Sequence, residues 1–286
     1  MEQFLRQLSN AEREKLQNLP LEEKVKQSIT VIKAAYDDFG REKIAVAWTG
    51  GKDSTLLLWL VRRAAEELGE PLPKCQFIDE GDVFPEIWDF VNEWKEKWGV
   101  DLHIYHNEDV SRQVNGKIGA PVRVADLNER NRREVARLGY EEETFPYEPE
   151  SYVGNHLMKT VMITKFIEDH QVQGYLAGIR WDEQEARAEE TFFSPREETP
   201  YNPSHIRIFP ILHFREKDVW DAIHQYQIPY VKLYEKGYRS LGARVTTRKA
   251  DEKPAWEQDL EHIPERAGRQ QDKEGIMKRL RDLGYM

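Results

Sequence analysis

The chain has 286 residues, a formal net charge of -10 and 39% apolar residues, enough for one large core and too acidic for general binding to nucleic-acid phosphates. Cys75 is the only cysteine, which excludes an intramolecular disulfide and a multi-cysteine metal site within one chain. No run approaches the ~20 apolar residues that span a bilayer, and Met1 to Arg6 lack a basic flank followed by an apolar run, so a cytoplasmic location is the default expectation.

In chain order, Val25, Ile29, Ile32 and Tyr36 have the spacing of one helical face within 21–38. Ile44 to Trp48 predicts a short buried strand, followed by a glycine turn and a helix from Ser54 to Leu68. A second strand over Gln76–Ile78 ends in Asp79, a helix runs from Pro85 to Trp98, and a third strand covers Leu102–Tyr105. After a charged stretch, a helix around 151–169, strands at Tyr175–Ala177 and Ile206–Phe209, and a helix near 215–226 resume the alternation. A last short helix is expected at about 272–283.

This alternation predicts an α/β fold with a doubly wound, mainly parallel five-stranded sheet. The expected organisation is a helical N-terminal extension (1–40), an α/β domain (41–228) carrying a charged, partly helical insertion (109–150), and a loop-rich C-terminal tail (229–286). Ligands of such sheets collect at the C-terminal ends of the strands.

The segment Thr49, Gly50, Gly51, Lys52, Asp53 and Ser54 joins a strand to a helix. Orphan N–H groups and the helix dipole make that junction an anion site. The glycines let the backbone approach closely, Lys52 adds a full charge, and the Ser54 hydroxyl can donate to phosphate or touch a metal. The P-loop pattern fails, because Asp53 follows Lys52 and Val46 stands where its first glycine belongs. A plain turn would need two glycines but not Lys-Asp-Ser after them.

This loop resembles the S-G-G-K-D-S pyrophosphatase loop of the adenine-nucleotide alpha-hydrolase superfamily, which implies ATP bound through residues 49–54 and cleavage between its α and β phosphates. A second cluster, Gly178, Ile179, Arg180, Trp181, Asp182 and Glu183, then Ala186, Arg187 and Ala188, follows a predicted strand. On charge pattern alone it reads equally as a surface loop of Arg/Glu pairs. Together with Phe192–Ser194, Ile206–Leu212, Glu216–Trp220 and the ending Glu265, Arg266, Arg269, Asp272 and Tyr285, it resembles the phosphoadenylyl-sulfate (PAPS) reductase family, and within it sulfate adenylyltransferase subunit 2, the ATP sulfurylase small subunit.

The resemblance implies adenylyl transfer to an oxyanion such as sulfate, with ATP and Mg²⁺ as cofactors and Asp53 as a candidate metal contact. Lys52, Arg180 and Arg187 are the implied catalytic cations. Thr49, Gly50, Gly51, Lys52, Asp53, Ser54, Gly178 and, at the nucleoside, Asp79 are the implied ATP-binding residues. A GTPase large subunit is the implied partner, but the short connections from Ser194 to Ile206 and from Tyr234 to Ser240, where typical small subunits carry long insertions, count against docking. Self-association stays open, and no membrane or nucleic-acid partner is expected.

Departures narrow the chemistry. The reductases' Glu-Cys-Gly-x-His tail is missing, and Ala243 and Thr246 stand where cluster-binding reductases place cysteines, so Cys75 is expected to be a core residue. Three alternatives remain. One is an FMN adenylyltransferase (FAD synthetase)-like enzyme, with Trp181, Phe192 and Phe193 lining a flavin pocket. The others are a thiolating enzyme, disfavoured by the single cysteine, and a non-catalytic ATP-binding regulatory subunit. The histidines lack zinc-site spacing; His205 and His213 flank the last strand and are expected to make ordinary hydrogen bonds.

Overall fold

The computed structural model describes residues 2–183, 187–199 and 202–266. The helix expected at 272–283 and the quoted residues Arg269, Asp272 and Tyr285 lie outside them, as does Ala186. Helices α1 (Glu2–Leu5), α2 (Asn10–Gln17) and α3 (Leu21–Phe39) open the chain. Ser9 and Glu12 close a capping box at the start of α2. Val25, Ile29, Ile32 and Tyr36 of α3 are all buried in the main core, as their spacing requires.

Strand β1 (Ile44–Ala47) leads through the glycine loop to α4 (Lys52–Leu68), then come β2 (Lys74–Asp79), α5 (Pro85–Trp98) and β3 (Leu102–His106). Leu56, Leu57, Leu60 and Ala64 of α4 are fully buried; each such leucine contributes roughly 1.5–3 kcal/mol of burial. Pro85 opens α5 at its first turn, and Gly69 and Gly99, both left-handed, end α4 and α5.

The charged insertion is more ordered than its composition suggests. It holds α6 (Glu108–Ser111), an antiparallel pair of β4 (Pro121–Arg123) and β5 (Thr144–Pro146), and α7 (Glu129–Arg137). Val110, Val122, Val135 and Phe145 give it a small core of its own. The helix expected over 151–169 is divided: α8 (Tyr152–Asn155), a π-helical stretch at His156–Thr160, and α9 (Val161–His170). Strands β6 (Gly174–Leu176), β7 (Phe193–Arg196) and β8 (His205–Ile208) follow, then α10 (Glu216–Gln225) and a tail of short 3-10 turns. No helix among the described residues is long and apolar enough to cross a membrane.

The sheet order is β3-β2-β1-β6-β8-β7. Five strands are parallel, as expected; the correction is a sixth, β7, which pairs antiparallel with β8 at the edge. Pro195 is compatible with such an edge. The chain winds outward from β1 to β3, then returns to β6 on the other side of β1. The switch point between β1 and β6 therefore brings the loop after β1 beside the loop after β6, where ligands of such sheets bind.

Gly178 makes that meeting close, while Gly50 lets the loop pack against α5. Gly50 has φ 76°, and a Cβ there would come within 2.9 Å of Ile87 Cγ2. Gly178 lies against the start of α4: a Cβ on it would come within 2.8 Å of the Asp53 carbonyl oxygen and 3.1 Å of the Ser54 nitrogen. Replacing Gly178 by Ala should force β6 and α4 apart and cost about 1–3 kcal/mol, read from urea unfolding; wild-type stability would show that the contact relaxes freely.

Neither flanking histidine lines the loop. His213 reaches the Lys24 carbonyl at 3.2 Å and His205 the Pro203 carbonyl at 2.8 Å. Burial pushes His213 down to about 3, and burial with Arg207 alongside pushes His205 down to about 4. The unfolded chain takes up protons near 6.5 that the folded chain refuses until those lower values. Stability should therefore be full above pH ~6.5 and fall as pH drops below it, the His205 contribution levelling off near 4 and the His213 contribution near 3, each adding a slope of up to about 1.4 kcal/mol per pH unit. His213→Gln should flatten that decline in denaturation midpoints measured from pH 7 to 4; an unchanged slope would contradict the burial of a neutral ring.

Candidate functional site

The glycine loop is held from within. The Thr49 N–H donates to Ser54 Oγ at 3.1 Å, the Thr49 hydroxyl lies 3.0 Å from the same oxygen, and Ser54 Oγ–H donates to the Gly51 carbonyl at 3.0 Å. The two hydroxyls thus brace the turn. Gly51 caps α4 with extended backbone and no side-chain partner. Lys52 N–H donates to the Tyr234 hydroxyl at 3.0 Å, so the C-terminal tail fastens the first helical residue.

Below the loop lies a buried charge network. Lys52, 1% exposed, points its ammonium at Glu265, with Asp53 at 3.5 Å and Glu216 at 3.8 Å, and donates to the Arg239 carbonyl at 3.2 Å. Arg180, 0% exposed, divides its guanidinium among Asp53, Asp182 (2.9 Å from Nε) and the other oxygen of Glu265. Arg239 forks onto Glu216 at 2.7–3.1 Å. Cations Lys52, Arg180 and Arg239 are thus interleaved with carboxylates Asp53, Asp182, Glu216 and Glu265. Burial alone would raise the Glu265 carboxyl, but Arg180 and Lys52 reverse this and hold it well below the usual range. Burial disfavours the Lys52 ammonium, yet Asp53 and Glu265 keep it protonated far above neutrality. Burial, then Glu265, pushes the Glu216 carboxyl upward.

A cleft of about 290 Å³ opens beside the loop. Its lining includes Thr49, Gly51, Lys52, Asp53, Ser54 and Gly178, so six of the expected loop-region residues converge on one space. Arg187 lines it too, paired with Glu183. Arg180 does not line it: it acts from behind, through Asp53 and Glu265. Both Asp53 oxygens face cations, Oδ1 toward Arg180 and Oδ2 toward Lys52, so the expected magnesium contact through Asp53 does not fit this geometry.

Asp79 is placed elsewhere. Its Oδ1 accepts from the Gly81 N–H at 2.8 Å, and it lines a neighbouring cleft of about 430 Å³ with His106, Ser111 and Tyr147. The segment after β2 is a thin wall: Asp79 and Gly81 face that cleft, Glu80 and Asp82 face the loop cleft, and Val83 lines both.

The aromatic residues weighed for a flavin pocket are packed away. Phe193 stacks on Phe4 at 5.4 Å and Trp181 meets Phe192 edge-on at 5.7 Å, all inside the main core. Cys75 is buried in the sheet, its thiol pushed up by burial. Sequence reasoning missed roles for Tyr234, Glu216, Arg239, Glu183 and Glu265. Glu183, Glu216 and Glu265 stood in the motifs that carry the resemblance, but no contact had been attached to them.

The phosphoadenosine phosphosulfate reductase domain family matches residues 43–249, well over half of the chain. Among curated relatives, sulfate adenylyltransferase subunit 2 of Brucella anthropi is 27% identical over 213 residues, covering 68% of this chain and 60% of the relative. That of Rhizobium meliloti is 27% identical over 218 residues, covering 70% and 63%. The chain thus spans about three fifths of the length of these relatives. Among solved structures, FMN adenylyltransferase of Candida glabrata aligns with TM-score 0.62 at 16% identity, over 91% of this chain and 94% of that one. Phosphoadenylyl-sulfate reductase of Candida auris, a phosphate complex, aligns with TM-score 0.54 at 20% identity, over 84% and 98%. These two likenesses carry the fold. The loop at the switch point, the match across 43–249 and the shared sheet converge: this chain belongs to the phosphoadenosine phosphosulfate reductase domain family.

Proposed function

We propose that the chain is a nucleotidyltransferase that cleaves ATP between the α and β phosphates and passes AMP to an oxyanion, sulfate above others, releasing pyrophosphate. The observation that carries the reading is the glycine loop opening into a cleft with a buried, fully paired lysine beneath it. Support for sulfate comes from the relatives named sulfate adenylyltransferase subunit 2.

Sulfate is already a charged nucleophile, so the site needs little proton transfer. One sulfate oxygen bonds to the α phosphorus as the bond to the bridging oxygen of pyrophosphate breaks, and the electron pair leaves with pyrophosphate. The chain's work is alignment and charge. The N-terminus of α4 offers N–H groups and a positive dipole end to the leaving group. Lys52 is held beneath the loop without reordering by Glu265 and Glu216, which also offset its charge. Arg180 fixes Asp53, and through it the first turn of α4. Magnesium would neutralise the nucleotide's phosphates in solution; Asp53 does not fit as its ligand.

The relatives' designation as subunit 2 extends the proposal to a second subunit, and assays of the chain alone test whether it is needed. Location in the cytoplasm and a place in sulfate assimilation belong to the same proposal.

Labelled pyrophosphate should enter ATP in a sulfate-dependent manner, and net turnover should yield adenylyl sulfate and pyrophosphate rather than ADP and inorganic phosphate. Steady release of ADP and inorganic phosphate would defeat the reading. Nucleotide binding without exchange for sulfate, molybdate or FMN would leave only a regulatory ATP-binding subunit. Cys75→Ser should retain turnover to within about two-fold, as a buried small residue allows; complete loss in a folded variant would restore thiol chemistry.

A further inference from the structure

Arg266 was quoted as part of the chain's ending without a task, and the structure gives it surroundings that suit one. Its Nη2 lies 3.2 Å from Glu183 Oε1, while Arg187 takes Glu183 Oε2. One carboxylate, with a side chain 9% exposed, thus holds two guanidinium groups apart, one per oxygen. All three residues line the cleft that the glycine loop opens into. The Arg266 Nε is buried and has no hydrogen-bond partner. A buried N–H donor without an acceptor costs free energy, and this one belongs to a residue of the cleft wall.

Two guanidinium groups share one carboxylate at this part of the wall, with Glu265 and Asp53 the next carboxylates acting on Glu183 and Arg187. Burial lowers the Arg187 guanidinium's affinity for its proton, and although Glu183 works against this, Arg266 and Arg180 lower it further. An incoming anion relieves that crowding. Guanidinium forks match a tetrahedral oxyanion in geometry as well as charge. The ion triad read as a mere surface pairing would need neither a buried orphan donor nor a cleft.

Resting on the adenylyl-transfer reading, we infer that Arg187 and Arg266, spaced by Glu183, form the subsite for the acceptor oxyanion, a small tetrahedral dianion of the sulfate class. Arg180, expected alongside Arg187 as a catalytic cation, is spent on Asp53, Asp182 and Glu265. Glu265 and Arg266 then divide the work between neighbours: the carboxylate secures the loop cations, and the guanidinium receives the acceptor.

The test uses Arg266→Lys, Arg266→Ala and Arg187→Lys in the full chain. Sulfate binding is measured by calorimetry with α,β-methylene ATP present, and pyrophosphate exchange is titrated separately against sulfate and against ATP. Each variant should raise the sulfate dissociation constant and half-saturation about ten-fold or more, the loss of a charge-assisted hydrogen bond, with half-saturation by ATP changed less than about two-fold. Inorganic phosphate should compete with sulfate in the wild type and lose that competition in the variants. Unchanged sulfate binding in a folded Arg266→Ala overturns the subsite, as does an equal rise for ATP, which would assign the pair to the nucleotide. Exchange that persists with unchanged sulfate dependence in every variant removes the subsite while adenylyl transfer stands. Loss of calorimetric sulfate binding in the variants, with no exchange by the wild type, supports the subsite while adenylyl transfer falls.

Discussion

The Glu265 carboxylate bridges Lys52 and Arg180, and most of the site's order depends on that bridge. Lys52 and Arg180 are among the largest fully buried side chains described, and ions without a partner in such surroundings are strongly destabilising. Glu265 offers one oxygen to each, so the loop after β1 and the loop after β6 share one anion. Asp53 repeats the link from within α4, and Glu216 and Arg239 continue it toward α10 and the tail. A network of this kind gains little stability over an apolar core of equal volume. It fixes positions: the lysine under the loop has one place to be.

Such fixing suits a reaction governed by charge. In the reaction we propose, a pyrophosphate leaving group would bring several negative charges to the loop within one step, and donors already fixed at the start of α4 would meet them without waiting for side chains to reorganise. The same arrangement explains why Arg180 and Arg187, alike in sequence, differ in role. Arg180 is enclosed by carboxylates from three segments and acts as a strut, whereas Arg187 has one shared partner and an open cleft before it.

Much of the frame was readable from the chain itself. Strands β1, β2 and β3 alternate with the helical stripes of α4 and α5, and Val25, Ile29, Ile32 and Tyr36 fell on the buried face of α3 as spaced. The loop was readable because its chemistry is local: glycines, lysine and serine within six positions at a strand-to-helix junction. Edge strand β7 was not, since Phe193–Arg196 is four residues long with a proline. Strands β4 and β5, three residues each and both containing proline, were hidden among charges. Glu265, Arg239 and Tyr234 escaped for a different reason. Their roles arise from contacts across most of the chain, and no periodicity within the tail marks which carboxylate will meet which cation.

That long reach bears on how the molecule is made. Lys52 and Glu265 are separated by 213 positions, and domains begin to fold from the N-terminal end while synthesis continues. On the ribosome, β1, α4 and β2 can assemble while the anion that neutralises the lysine is still unmade. Until the tail emerges, the loop must keep its ammonium in water or lean on Asp53 and Glu216 without Glu265, and α4 cannot settle fully at its first turn. The binding cleft is therefore the last part of the nascent protein to mature, and a chain halted before its tail would carry a finished sheet beneath an unfinished site.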